Sequence, residues 1–208
     1  PAKSKSENPV DGARVLVEPD LPRSISYAVL RPWRQVNDTI VYNQGLMADA
    51  LAQAIINRRL EARARGGGSY LAAQVSQDDV SRSVDGTFVS VTPLDENWQG
   101  ALGDVRAVIA DAQKTPPTQA EIDREYADYE VAIRNGVETA QVEASAKQAD
   151  DMAGALDIRE TVTAPANSYA ILTDAEAKGM FNPADVLAST KKIFAGVATR
   201  ALVNTRTA

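Results

Sequence analysis

The chain has 208 residues, 44% hydrophobic and 24% charged, enough to bury a sizeable core in one large domain or two small ones. Its formal net charge of −6 gives no electrostatic footprint for nucleic acid or an anionic membrane, so neither is expected as a partner. It contains no cysteine and no histidine, which excludes a disulfide framework, a thiolate metal site, a Ser-His-Asp triad, a Cys-His pair and a histidine-ligated zinc.

Residues 1–12, PAKSKSENPVDG, are polar and carry Pro9 and Gly12, which predicts a flexible lead-in before a single domain over 13–208. No apolar run is long enough to span a bilayer, no signal peptide opens the chain, and a start at Pro1 reads as a processed or excised piece. ARVLVEP alternates and stops at Pro19, a short strand. RSISYAVLRPW puts Ile25, Tyr27 and Val29 on one face, a half-buried strand that Pro32 ends. Asn37 or Asp38 caps a helix over about 38–65, with Ile40, Met47, Leu51, Ala54 and Ile55 at helical spacing. Gly45 is its weak point, to be explained by a close neighbour.

Gly66-Gly67-Gly68 stop that helix, and SYLAAQVSQ and RSVDGTFVSVTP follow as two strands with Asp78-Asp79 between them. Asp95 caps a second helix with Trp98, Leu102, Val105 and Ile109 on its apolar side. TQAE at 118–121 is a capping box that opens the longest helix, predicted over 118–149, with Ile122, Tyr126, Tyr129, Ile133 and Val137 in one stripe. DDMAGALDIRE and SYAILTDAEAKGMF read as shorter helices. Asn182 and Pro183 open the last one, and TRALVNTR closes as a strand. Strands without crossover helices, and helices in blocks, make this an α+β chain: an antiparallel sheet with helices packed on one face.

Candidate sites are few. A phosphate loop needs its glycines after a strand and before a helix. Here the helix ends at Arg65 and the strand begins at Ser69, so the helix presents carbonyls, which repel phosphate and favour Arg63 and Arg65. Asp78-Asp79, Asp85, Asp95-Glu96 and Asp150-Asp151 lack calcium-loop spacing and read as turn and cap carboxylates. Tyr126 and Tyr129 read as core. Trp33, after Pro32, is a candidate contact to a neighbouring domain. The residues themselves assign no catalytic, cofactor-binding or metal-binding position.

The order SISYAVLRPW, then a long helix ending INRRLEARAR, then SYLAAQVS and VDGTFVSVTPLDENWQGALGDVRAVIADAQKTPPTQAEIDREYADYEVAIRN resembles the second domain of the pitrilysin/insulinase zinc metallopeptidases. TVTAPANSYAIL and FNPADVLASTKKIF resemble the late helices before the closing strand of that domain, and the similarity runs from about Arg14 to Arg206. The resemblance implies the processing-peptidase/LuxS-like metallohydrolase fold. The family's zinc signature, H-x-x-E-H, is missing. What is implied is therefore a non-catalytic, substrate-enclosing domain beside a catalytic domain that holds the zinc. Its implied partners are neighbouring domains of the same polypeptide and a peptide substrate, in a periplasmic parent protein. The alternative is a peptide-binding or adaptor module that adds a strand at a sheet edge.

Overall fold

The computed structural model describes residues 9–140, 153 and 164–206. The strands are β1 (Gly12–Val17), β2 (Ser24–Pro32), β3 (Tyr70–Val80), β4 (Val84–Pro93) and β5 (Ala198–Thr205). The helices among the described residues are α1 (Ile40–Arg65), α2 (Trp98–Ala112), α3 (Gln119–Thr139), α4 (Pro165–Ala177) and α5 (Pro183–Ile193). The fold is α+β. The five strands form one sheet in the order β1-β5-β2-β4-β3.

The four strands from β5 to β3 are mutually antiparallel, as the pattern of adjacent strands implies. β1 adds a parallel edge beside β5 and makes the sheet mixed. The reason is topological. β5 slots between β1 and β2, so the short link from 18 to 23 crosses the end of β5, where the Glu18 amide donates to the Thr205 carbonyl at 2.9 Å. β5 runs against β2 and hence with β1.

Alternation sorts the strand residues. Ile25, Val75, Val89, Val91 and Val203 point to one face and are buried with Met47, Leu51, Ile55, Ile56 and Leu60 of α1 and Val105 and Ile109 of α2. The opposite face keeps Ser26, Gln74, Ser76, Ser90 and Leu202 exposed. The helices therefore cover one face.

Within α1 the buried stripe includes Gln44, Ala48 and Ala52, while Ile40, in the first turn, is 59% exposed. Its cap is Thr39, whose hydroxyl accepts from the Tyr42 amide, rather than Asn37 or Asp38. Gly45 has no close neighbour: a β-carbon there would meet nothing within 4 Å.

α2 is capped by Asn97, which accepts from the Gly100 amide, and Asp95 instead accepts from the Asn97 amide at 2.8 Å. The capping box at Thr118 and Glu121 forms. There Arg59 and the Thr118 amide and hydroxyl hold the Glu121 carboxyl down at about 2 against the opposing effect of burial. α3 is described to Thr139, α4 starts at Pro165, and Asn182 caps α5 with Pro183 inside its first turn. The expected continuation of α3 to 149, the helix DDMAGALDIRE and the pair Asp150-Asp151 lie outside the described residues, Ala153 excepted.

Candidate functional site

The glycine triplet closes α1 by a Schellman arrangement. The Gly68 amide donates to the Arg63 carbonyl at 3.0 Å and the Gly67 amide to the Ala64 carbonyl at 3.3 Å. Gly67 has φ +88°, which a β-carbon disfavours, and a β-carbon on Gly68 would sit 2.9 Å from the Arg63 carbonyl oxygen. Backbone donors that a phosphate would need are already spent on the helix. The arginines are committed too, though to acids rather than to the last carbonyls. Arg63 donates to Asp104 at 2.8 Å and Arg65 to Glu61 at 2.6 Å.

Asp104 also accepts from the amide and hydroxyl of Ser69, and its carboxyl is held below the ordinary range, by Arg63 first and the Ser69 amide next. Tyr70, which begins β3, is buried and donates its hydroxyl to the Leu60 carbonyl at 2.7 Å. These bonds fasten α1 to β3 and α2, beside an open cavity of about 510 Å³ lined by Arg65, Gly67, Gly68, Tyr70 and Leu94.

The acids at the other end of β3 behave differently. Asp78 and Asp79 lie within β3 rather than in a turn, because the strand continues to Val80 and the reversal is made by Ser81 and Arg82, both at positive φ. Asp85 stands on β4 directly opposite Asp79. Burial, then the neighbouring Asp79, raise the Asp85 carboxyl above its ordinary value, with Arg31 opposing. Trp33 donates its indole N–H to Asp79 at 2.8 Å, so it fastens the end of β2 to β3 within this domain. Tyr126 and Tyr129 pack against the core, Tyr126 tilted on Phe181 with centroids 5.6 Å apart. Glu96 accepts from Arg23, which precedes β2, and from the Thr205 hydroxyl at the end of β5, joining the segment before α2 to both.

Two further residues matter here: Asn57, which the sequence marked only as part of the INRRLEARAR resemblance, and Asp49, which it did not mark. Asn57, on α1, accepts from the Val75 amide at 2.7 Å and donates to the Val75 carbonyl at 3.0 Å, taking the place of a pairing strand at that position of the β3 edge. Asp49, also on α1, is buried to 3% exposure. Only a sequence-distant contact, with Lys192, marks its position as polar.

No group of three or more His, Asp or Glu side chains among the described residues is placed to hold a metal ion. No described helix is long and apolar enough to cross a membrane.

No protein-family model matches the sequence, and the search of curated proteins finds no match. Solved structures do match. The fold is that of M16 peptidase domains, the pitrilysin/insulinase type. The first half of the periplasmic protease PqqL from Escherichia coli superposes with a TM-score of 0.79 at 13% identity over 92% of this chain and 41% of that one. The M16 inactive domain from Pseudomonas fluorescens superposes with a TM-score of 0.64 at 16% identity over 100% and 47%. The ferredoxin protease FusC, solved with Arabidopsis ferredoxin, gives 0.67 at 12% identity over 97% and 23%. This chain thus spans less than half the length of each of these structures.

Proposed function

We propose that this chain is a non-catalytic domain of a pitrilysin/insulinase-type zinc endopeptidase, serving as structure and as part of the wall that encloses a peptide substrate. The observation that carries the reading is coverage: nearly all of this chain aligns with less than half of each of these three structures, one of them an inactive domain. The chain's own donors do not fit the family's zinc, since the sequence has neither histidine nor cysteine. Metal chemistry then belongs to a neighbouring domain that carries H-x-x-E-H. Neighbouring domains and a peptide are the proposed partners, and the periplasm, where PqqL resides, is the proposed compartment.

Strand addition is the weaker alternative. The sheet's edges are the six-residue β1 and β3, and on β3 Asn57 already takes the outward amide and carbonyl of Val75.

The test reads the coding frame on both sides for H-x-x-E-H, and assays the purified chain for zinc and peptide cleavage with and without the domain that carries the motif. Cleavage is expected only with the two together. Zinc held tightly by this chain alone, with cleavage, overturns the reading.

A further inference from the structure

At the turn end of the β3–β4 hairpin a cavity of about 340 Å³ opens between the sheet, the start of α1 and the end of α5. Four carboxylates line it, those of Asp49, Asp78, Asp79 and Asp85, against two cationic groups, Arg31 and Lys192. Asp79 and Asp85 are paired across the ladder, a like-charge placement that costs stability. Each Asp79 oxygen already accepts one hydrogen bond, from the Trp33 indole and the Arg82 amide, and keeps a second lone pair for a ligand. Arg31 stands opposite Asp85 on the next strand and partly offsets its charge, while its terminal nitrogens donate to the Ile193 carbonyl at 2.8 Å, the Ala195 carbonyl and the Thr87 hydroxyl.

Asp49 supplies an independent sign. Its side chain is 5% exposed, and its Oδ2 takes the Lys192 ammonium at 2.6 Å. Its Oδ1 is buried with no hydrogen-bond partner among the described residues, which is costly for a carboxylate. The Lys192 ammonium, on a side chain 61% exposed, is a resident example of the group this place accepts.

A bare metal ion does not suit the site, because the carboxylates do not converge as a ligand set. A cation with several donors on a flexible stem does suit it, since it spans separated acceptors. We propose that this cavity binds a guanidinium or alkylammonium group, which bridges Asp79 and Asp85 and reaches Asp49. The site stands whether or not the chain walls a peptidase chamber.

The test is an amide NMR titration of the whole chain with three probes: agmatine, an acetylated and amidated Gly-Arg-Gly tripeptide, and the same tripeptide with neutral citrulline for arginine. Saturable shifts at Asp79, Asp85 and Gly86 are expected with both guanidinium probes and not with citrulline. Tighter binding of the tripeptide identifies a polypeptide side chain as the natural group, and tighter binding of agmatine a free small cation. Asp85→Asn should weaken binding about tenfold while raising the melting temperature, a pairing that mere structural damage would not give. Asp49→Asn should also weaken it, and if that variant does not fold, Asp85→Asn decides. Equal binding of the citrulline peptide, shifts centred elsewhere, no saturation at millimolar probe, or unchanged affinity in Asp85→Asn each overturns the proposal.

Discussion

The two ends of the β3–β4 hairpin share a sheet and treat charge in opposite ways. At the α1 end, Arg63, Asp104 and Ser69 satisfy one another, and Asp104 is held in its charged form. At the turn end, Asp79 faces Asp85, burial disfavours the charge on Asp85, and one oxygen of Asp49 has no partner among the described residues. The first end is arranged to hold the fold. The second satisfies Asp79 through the Trp33 indole and the Arg82 amide but keeps a like charge opposite it. It also leaves one oxygen of Asp49 without a partner among the described residues, an arrangement that costs stability.

The largest effect that would test this contrast comes from Lys192→Met. It removes the cation bonded to the buried Asp49 carboxylate, and a buried charge left without compensation is strongly destabilising. Chemical denaturation at neutral pH should show a loss of about 3 kcal/mol. A loss near zero would mean that water reaches Asp49 freely and that the orphan oxygen is no sign of a ligand.

Next comes Asp104→Ala, at the fastened end. It strips the partner from Arg63 and from the Ser69 amide, and the same measurement should show a loss of about 2 kcal/mol. Its sign with pH is set by the depressed carboxyl. The stabilisation is present above the ordinary value of 3.8 and is lost as pH falls through the lower folded value, so wild type and variant should converge in strong acid. Gly67→Ala follows at about 1 kcal/mol, because a β-carbon is penalised at φ +88°. Adding ATP or pyrophosphate should leave the melting temperature of the wild type unchanged, since the loop's amides are spent on α1.

The sequence carried the elements that depend on local chemistry. The capping box at Thr118, Asn182 with Pro183, and the glycine stop after Arg65 all stand where short-range rules put them. The hidden features depend on contacts between distant residues. β1 lies parallel to β5 only because β5 returns from the far end of the chain to sit beside it. Asp78 and Asp79 read as turn acids, yet pairing with β4 extends the strand through them and moves the reversal to Ser81 and Arg82. Trp33 looks like a residue for an outside contact until β3 brings Asp79 to its indole N–H. Asn57 and Asp49 sit on the inner side of a helix whose apolar periodicity gives no hint of a polar task.

The smallest predicted effect is the one of opposite sign. Asp85→Asn keeps the shape of the side chain and removes one of two like charges placed across the ladder, so at neutral pH the variant should gain about 0.5 kcal/mol. The pH dependence follows from the raised carboxyl. Below the ordinary value of 3.8 Asp85 is protonated in both folded and unfolded chains, and wild type and variant should be equally stable. As pH rises from there to the higher folded value, the unfolded chain releases the proton more readily than the folded one, so the wild type loses stability relative to the variant. Above that value the full gain should be present. The effect is small and partly exposed to solvent, so raising salt should shrink it by screening the Asp79–Asp85 repulsion. Parallel melts of the two proteins from acid to neutral pH, at low and high salt, make the measurement. A variant less stable than wild type at neutral pH would show that Arg31 neutralises Asp85 after all, and the contrast between the two ends of the hairpin would fail there.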